Sequence, residues 1–191
     1  MVEAVTGTKL AIVGGISTGK TTLLNEYQHK RQGDPRFAFV EEAARRFFRG
    51  QPQVRRRNPK EQSMDNARRI QSLALESEMQ AHSTGAEFII CDSSILTAGM
   101  YMIGHGEIRK AEELFKSVEF WLPTYNRFLL LNPADVPYRD DSLRNEGESH
   151  RTRTHQAYLD YFSEKGIPYK LISGTVPERI KEIDEVLQLK D

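Results

Sequence analysis

Five short apolar runs are spaced along the chain, separated by longer stretches in which apolar residues recur at helical spacing. The runs are Lys9 to Val13, Phe37 to Val40, Phe88 to Cys91, Arg127 to Leu131 and Tyr169 to Ile172. The first ends in Gly14-Gly15 and the third in Asp92. A near-continuous apolar run closed by glycines or an acid reads as a strand buried on both faces. Between the runs, helices are expected from Gly19 to about Lys30 and from Ala43 to Phe48. A third should run from Asn58-Pro59-Lys60-Glu61 to about His82. Asn58 can cap that helix, Pro59 suits its first turn, and Glu61 sits where a capping-box acid would. Ile70, Leu73 and Ala74 then face the core, while Gln71 and Glu78 share another face. Two helical pieces, broken at Gly104-His105-Gly106, come next. The second carries Ile108, Ala111, Leu114, Phe115, Val118 and Trp121 at helical spacing.

The stretch from Asn132 to Glu148 is polar, charged and interrupted by Pro133 and Pro137. It reads as an exposed, mobile excursion. Ser149 can cap a helix from His150 to Lys165, which Gly166-Ile167-Pro168 stops. Thr175 with Glu178 caps the last helix, whose apolar stripe is Ile180, Ile183, Val186 and Leu187. Strands alternating with helices, without hairpin signals, predict an α/β domain with a mainly parallel five-stranded sheet.

Composition narrows the classes. At about 150 residues per domain, 191 residues suit a single domain, taken as residues 1–191. Lys+Arg and Asp+Glu number 27 each, so the net charge is zero, which argues against a globally basic nucleic-acid binder. No apolar run approaches the roughly 18 residues of a membrane span. Met1 to Leu10 lacks the cationic and apolar regions of a signal peptide, and a cytoplasmic protein is expected. Cys91 is the single cysteine, which leaves no internal disulfide and no cysteine-rich zinc site. His150 and His155 are five apart, off a shared helical face, and do not suggest a metal pair.

Gly14-Gly15-Ile16-Ser17-Thr18-Gly19-Lys20-Thr21 matches the phosphate-binding P-loop pattern in full, and Thr22 continues into the helix. Glycines let the backbone curl so that successive N–H groups point at phosphate oxygens. The helix N-terminus adds partial positive charge. In this pattern Lys20 reaches the β- and γ-phosphates of ATP and the Thr21 hydroxyl binds Mg²⁺. Asp92, at the end of the third strand, is the expected second acid. Such an acid orients Mg²⁺ or accepts a hydroxyl proton, although an aspartate there can also simply cap the next turn. Glu41 and Glu42 end the second strand beside the same pocket, although paired surface glutamates are common. Basic residues form two groups, Arg45, Arg46, Arg49 and Arg55 to Arg57, then Arg139, Arg144, Arg151 and Arg153. An arginine of the second group can close on a triphosphate and neutralise transition-state charge. The interleaved acids also allow a solvated mixed-charge face.

With these residues in hand, the chain resembles the ribosylnicotinamide-kinase-like P-loop ATPases. This is an AAA-type domain found fused to nicotinamide mononucleotide adenylyltransferase in some bacterial NAD proteins. The P-loop is shared. Val40-Glu41-Glu42-Ala43-Ala44-Arg45 looks like the family's strand-end segment with a Glu and an Arg three apart. Gln71 lies where the family has a helix glutamine. Cys91-Asp92-Ser93-Ser94-Ile95-Leu96-Thr97 is similar to its segment with an Asp and a later Thr. Asp135 to Tyr138 with Asp141 to Arg144 looks like the start of its lid, and Gly174 followed by Arg179 like its C-terminal segment. Ser94 and Asn126 stand where the family often has Asp.

The resemblance implies a nucleoside-kinase-like three-layer sandwich with a lid at about 133–155. It implies ATP- and Mg²⁺-dependent phosphoryl transfer to a nucleoside-like acceptor such as nicotinamide riboside, in NAD metabolism. Lys20, Asp92, Glu42 and Arg144 would be catalytic, and Glu42, Arg45, Gln71, Asp92 and Thr97 would bind the acceptor. Two other readings stay open. One is a regulatory NTPase, with guanine specificity disfavoured because Asn132-Pro133-Ala134-Asp135 has Pro where Asn-Lys-x-Asp has Lys. The other is a polynucleotide end kinase using Arg55 to Arg57. The oligomeric state is left open.

Overall fold

The computed structural model describes residues 7–49, 64–138 and 147–189. All five expected strands form: β1 (Thr8–Val13), β2 (Phe37–Val40), β3 (Phe88–Asp92), β4 (Arg127–Leu131) and β5 (Tyr169–Ile172). They make one sheet in the order β2-β3-β1-β4-β5, with every pairing parallel. The helices are α1 (Lys20–Lys30), α2 (Ala43–Arg49), α3 (Met64–Ser83), α4 (Thr97–Gly104), α5 (Ile108–Val118), α6 (Glu148–Lys165) and α7 (Val176–Val186).

The sheet alternates its side chains between two apolar layers, as a strand's period of two demands. Leu10, Ile12, Ile90, Leu129 and Leu131 pack on α1 and α7. Ala11, Val13, Ile89, Cys91, Phe128 and Leu130 pack toward α3, α4, α5 and α6. The three-layer sandwich is thus the expected one. The central strand β1 is buried from Lys9 to Val13, whereas the edge strand β5 is partly exposed. Close approach matters at Gly99 and Gly104 of α4, where a Cβ would collide with the Phe115 ring and with His150. None of the described helices is long and apolar enough to cross a membrane.

Several boundaries and faces differ from expectation. Asn58, Pro59 and Glu61 lie outside the described residues, and α3 is described from Met64. Its Gln71 and Glu78 are buried because they meet partners inside the fold. Ile108 is 50 % exposed although it is in register with Ala111 and Phe115, because it occupies the first turn of α5, before the packed stretch. Ser149 lies inside α6 and is not its cap. The helix starts at Glu148 after Gly147, whose φ of +82° breaks the helical path. Thr175 and Glu178 form the expected capping box. Residues 132–138 are not a free excursion: Pro133–Asp135 is a 3-10 turn capped by Asn132. Asp135 is tied to Gly174 and Arg179. Residues 139–146, with Arg139 and Arg144, lie outside the described residues, as do Arg55 to Arg57.

Candidate active site

The parallel register carries three strand ends to one edge of the sheet. Ile12 pairs with Asp92, and Val40 pairs with Cys91. Hence the loop after Val13, the acid ending β3 and the acids following β2 are neighbours. In parallel α/β sheets this carboxyl edge is where ligands bind.

The loop from Gly14 to Gly19 wraps the start of α1. A side chain at Gly15 would force the backbone to shift, since a Cβ there would stand 2.7 Å from the Arg151 carbonyl oxygen. Gly19 takes φ +87° immediately before Lys20, so α1 begins one residue later than expected, and no described side chain caps it. Its first N–H groups therefore suit an anion. Ser17 also adopts a left-handed conformation, φ 55°. The Thr18 hydroxyl braces the turn by donating to the Gly15 carbonyl at 3.0 Å. The Lys20 ammonium folds over the loop and donates to the carbonyls of Gly14 (3.1 Å) and Gly15 (2.8 Å). Ile16 is buried and Thr22 is exposed on α1.

Thr21 Oγ1 donates to Asp92 Oδ2 at 2.8 Å. The other carboxylate oxygen, Oδ1, is buried and has no hydrogen-bond partner among the described residues. Burial, then the nearby Glu42 charge, push the Asp92 carboxyl above its ordinary value; Lys20 opposes them. A hydroxyl beside a carboxylate with one oxygen to spare is a hard-oxygen donor set, and it fits Mg²⁺, which takes few protein ligands and completes its shell elsewhere. Ser93, next in the chain, has φ 81°. Strained residues at a strand end are the kind found at functional sites.

Glu42 is 3 % exposed and accepts from Arg45 Nε at 2.9 Å. Glu41 faces outward and pairs with Arg49. Between α2, α3 and the ends of β2 and β3 lies a cleft lined by Glu42, Gln71, Asp92, Ser94 and Thr97, among others, enclosing about 20 Å³. That is room for about one water. Gln71 lines the cleft, but its amide is engaged. Nε2 donates to the Ile95 and Leu114 carbonyls and Oε1 accepts from Ser117. It holds α3 against α5. The Thr97 hydroxyl accepts from the Ser94 N–H at 3.1 Å and lies 3.2 Å from the Tyr158 hydroxyl. Tyr158, 1 % exposed on α6, was not singled out from the sequence because it continues an ordinary apolar pattern.

The described arginines of the second basic group donate chiefly to backbone carbonyls. Arg151 donates to the Pro133 and Val136 carbonyls and Arg153 to the Gly104 carbonyl. Arg179 is buried beside the P-loop. The sequence marked it only through the family resemblance, as the arginine following Gly174, and gave it no role.

Among solved structures the chain is similar to the NadR protein in complex with NAD and AMP-PNP. The TM-score is 0.75 and the identity 17 %, over 97 % of this chain and 51 % of that one. It is also similar to thymidylate kinase from Candida albicans, with TM-score 0.66 and 13 % identity over 95 % and 91 % of the two chains. For deoxyadenosine kinase from M. mycoides with bound dATP, the TM-score is 0.61 and the identity 15 %, over 95 % and 100 %. The chain spans about half the length of the NadR chain it matches. These likenesses show a shared fold. No curated protein sequence is significantly similar to the chain. Residues 9–179 match the family model described as an AAA domain, AAA_28. The resemblance drawn from the motifs is thereby borne out, and the chain belongs to this AAA domain family.

Proposed function

We propose that the protein transfers the γ-phosphoryl group of ATP to a hydroxyl of a small nucleoside-like acceptor, nicotinamide riboside being one candidate. The observation that carries this is the junction of Thr21 with Asp92. It joins the phosphate loop to a strand-end carboxylate with a spare buried oxygen, and Glu42 and Arg45 stand beside it. The fold is shared with thymidylate and deoxyadenosine kinases, and NadR structures hold AMP-PNP or NR, which supports the reading.

The residues divide the work. Backbone N–H groups from Gly15 to Thr21 and the α1 N-terminus cradle the phosphates. Lys20 leaves its two loop carbonyls for the β- and γ-phosphate oxygens. Thr21 and Asp92 would hold Mg²⁺, which when bound neutralises charge developing on the phosphates. Glu42 orients the acceptor hydroxyl and takes its proton, while Arg45 holds the Glu42 carboxylate in place. Arg144, in the lid segment, binds the charge of the transferring group. The acceptor oxygen bonds to phosphorus, the bond to the ADP oxygen breaks, and the proton leaves through Glu42. The cleft must widen to admit a nucleoside. The short α2 is the element suited to move, since it is anchored chiefly by Ala43 and Phe47 against Ile70.

A phosphoryl-transfer screen over nucleosides, nucleotides and short oligonucleotides tests this, with ATP hydrolysis measured alongside. A ribonucleoside should raise ATP turnover well above background and be recovered phosphorylated. Free phosphate alone across the screen would replace this reading with a regulatory ATPase, and a phosphorylated oligonucleotide would replace it with an end kinase.

A further inference from the structure

Arg179, on the first turn of α7, is 1 % exposed and among the largest fully buried side chains. Its donors reach three separate segments. Nη1 donates to the Thr18 carbonyl of the P-loop at 3.1 Å, and Nε to the Gly174 carbonyl at 2.9 Å. Nη2 reaches the Asp135 carboxylate at 3.2 Å. Asp135 also accepts the Gly174 N–H at 2.8 Å. One guanidinium thus ties the phosphate loop to the segments leaving β4 and β5. A buried charge with a single, partly exposed carboxylate partner is a poor way to gain stability, since an apolar side chain of similar volume commonly does as well. The placement asks for another explanation.

The peptide between Thr18 and Gly19 supplies one. A trans peptide is planar, so its C=O and N–H point in opposite directions. Holding the Thr18 oxygen on the α7 side aims the Gly19 N–H away from α7, into the loop. A hydrogen bond to the carbonyl also polarises the peptide and strengthens its N–H as a donor. Gly19 sits at φ +87°, directly after the carbonyl that Arg179 holds.

We propose that Arg179 is a positioning residue for the nucleotide phosphates. It pins the Thr18–Gly19 peptide so that the Gly19 N–H stays aimed at a phosphate oxygen, with Asp135 and Gly174 as its anchors. This rests on the phosphoryl-transfer reading only in taking the P-loop as a triphosphate site. The chemistry recognised is a polyphosphate, with or without a nucleoside.

The test is calorimetric binding of ATP–Mg²⁺ and of inorganic tripolyphosphate, with steady-state kinetics and melting curves on the same proteins. Arg179→Lys keeps the charge and loses the fork. It should weaken both ligands by roughly 10-fold, as loss of a supporting partner of a binding group does. The KM for the acceptor should stay near wild type. Asp135→Ala, which acts through Arg179 from its more exposed side, should weaken both ligands by roughly threefold. Combined with Arg179→Lys it should add little, because the two act as one unit. Tyr27→Phe is the matched control. It removes a buried hydrogen bond to Asp184 on the same helix and should lower Tm while leaving both affinities unchanged. If Arg179→Lys lowers Tm as Tyr27→Phe does and leaves both affinities at the wild-type value, the residue is structural and the proposal falls. Should that variant not fold, Asp135→Ala decides: unchanged binding of both ligands overturns the proposal. Wild-type protein that binds neither ligand overturns the phosphoryl-transfer reading together with this one. Wild-type binding with unaffected variants overturns this one alone.

Discussion

Two buried polar assemblies stand at opposite ends of β1, and they are built on different rules. At its N-terminal end the Lys9 ammonium meets Glu78 at 2.5 Å and Thr124 at 2.8 Å. It also lies 3.8 Å from the Tyr125 ring centroid and 4.8 Å from that of Trp121. Glu78 takes hydrogen bonds from Trp121 Nε1 (2.8 Å) and the Tyr125 hydroxyl (2.5 Å). Burial first, then the Glu78 charge, push the Tyr125 hydroxyl well above its ordinary value, so it serves as a neutral donor. Each named group has its partner. At the C-terminal end, Asp92 Oδ1 and Ser93 Oγ are buried without hydrogen-bond partners among the described residues. Ser17 and Ser93 are strained, and the Asp92 carboxyl is held above its usual range. A completed network rigidifies a core. An unfinished one, with strain beside it, is poised for a ligand.

The largest effect should come from breaking the completed network. Glu78→Ala leaves the Lys9 charge buried and unpaired, which costs about 3–5 kcal/mol. Denaturant unfolding should show that loss, while the ATP affinity of the folded protein stays at the wild-type level. Loss of nucleotide affinity at full stability would erase the distinction between the two assemblies.

At the other end Lys20→Ala should do the reverse. The gain in Tm with ATP–Mg²⁺ should largely vanish, because a ligand stabilises only by binding the folded state. Turnover should fall by roughly 10²–10³-fold, the range for removing one charge-stabilising donor. A full thermal shift in this variant would show that the P-loop lysine is idle.

Arg144→Ala, in the segment after Tyr138, should lower kcat by roughly 10²-fold while changing ATP affinity far less, since such a residue acts on the transition state. Arg144→Lys should restore little, because a point charge lacks the planar fork. Effects as small as those of Arg57→Ala would mark Arg144 as a surface residue.

The smallest effect on stability has the opposite sign. Asp92 titrates above its ordinary value in the fold, so the folded state binds its proton more tightly than the unfolded chain. Stability from this group is then present at low pH and lost as pH rises through the raised folded value. Asp92→Asn removes that cost, so it should raise Tm at pH 8, and the gain should shrink as pH falls toward the ordinary carboxylate range. Activity should nonetheless be lost. A lower Tm at pH 8 would mean that the carboxylate is a stabilising group and would blur the contrast with Glu78.

Much of the architecture was legible because strand burial writes itself into composition. Leu10 to Val13 and Phe128 to Leu131 are apolar at every position, as only a strand covered on both faces requires. Thr175 and Glu178 announced their cap because both partners lie within one turn. Gly147 as the start of α6 was less visible, since Ser149 two residues later is the better capping residue by type.

The candidate site divides in the same way. The P-loop is a contiguous segment whose chemistry is local: glycines for the turn, a lysine and a hydroxyl at fixed spacing. Its eight residues and the strand before it were enough to name the loop. Partners distant in the chain were decided by the fold alone. Arg179 lies 161 residues from Thr18 and Tyr158 lies 61 from Thr97; Asp92 was legible as the acid ending β3, but its direct contact with Thr21, 71 residues away, is set by the register of β1 with β3. Gln71 matched a family position by type, yet the packing of α3 on α5 spends its amide on Ile95, Leu114 and Ser117. Local sequence dictates which backbone conformations and which faces are affordable. Which buried donor meets which acceptor is set by the register of β1 with β3 and by helices closing over both faces of the sheet, because a desolvated polar group takes whatever partner the packed interior brings within reach.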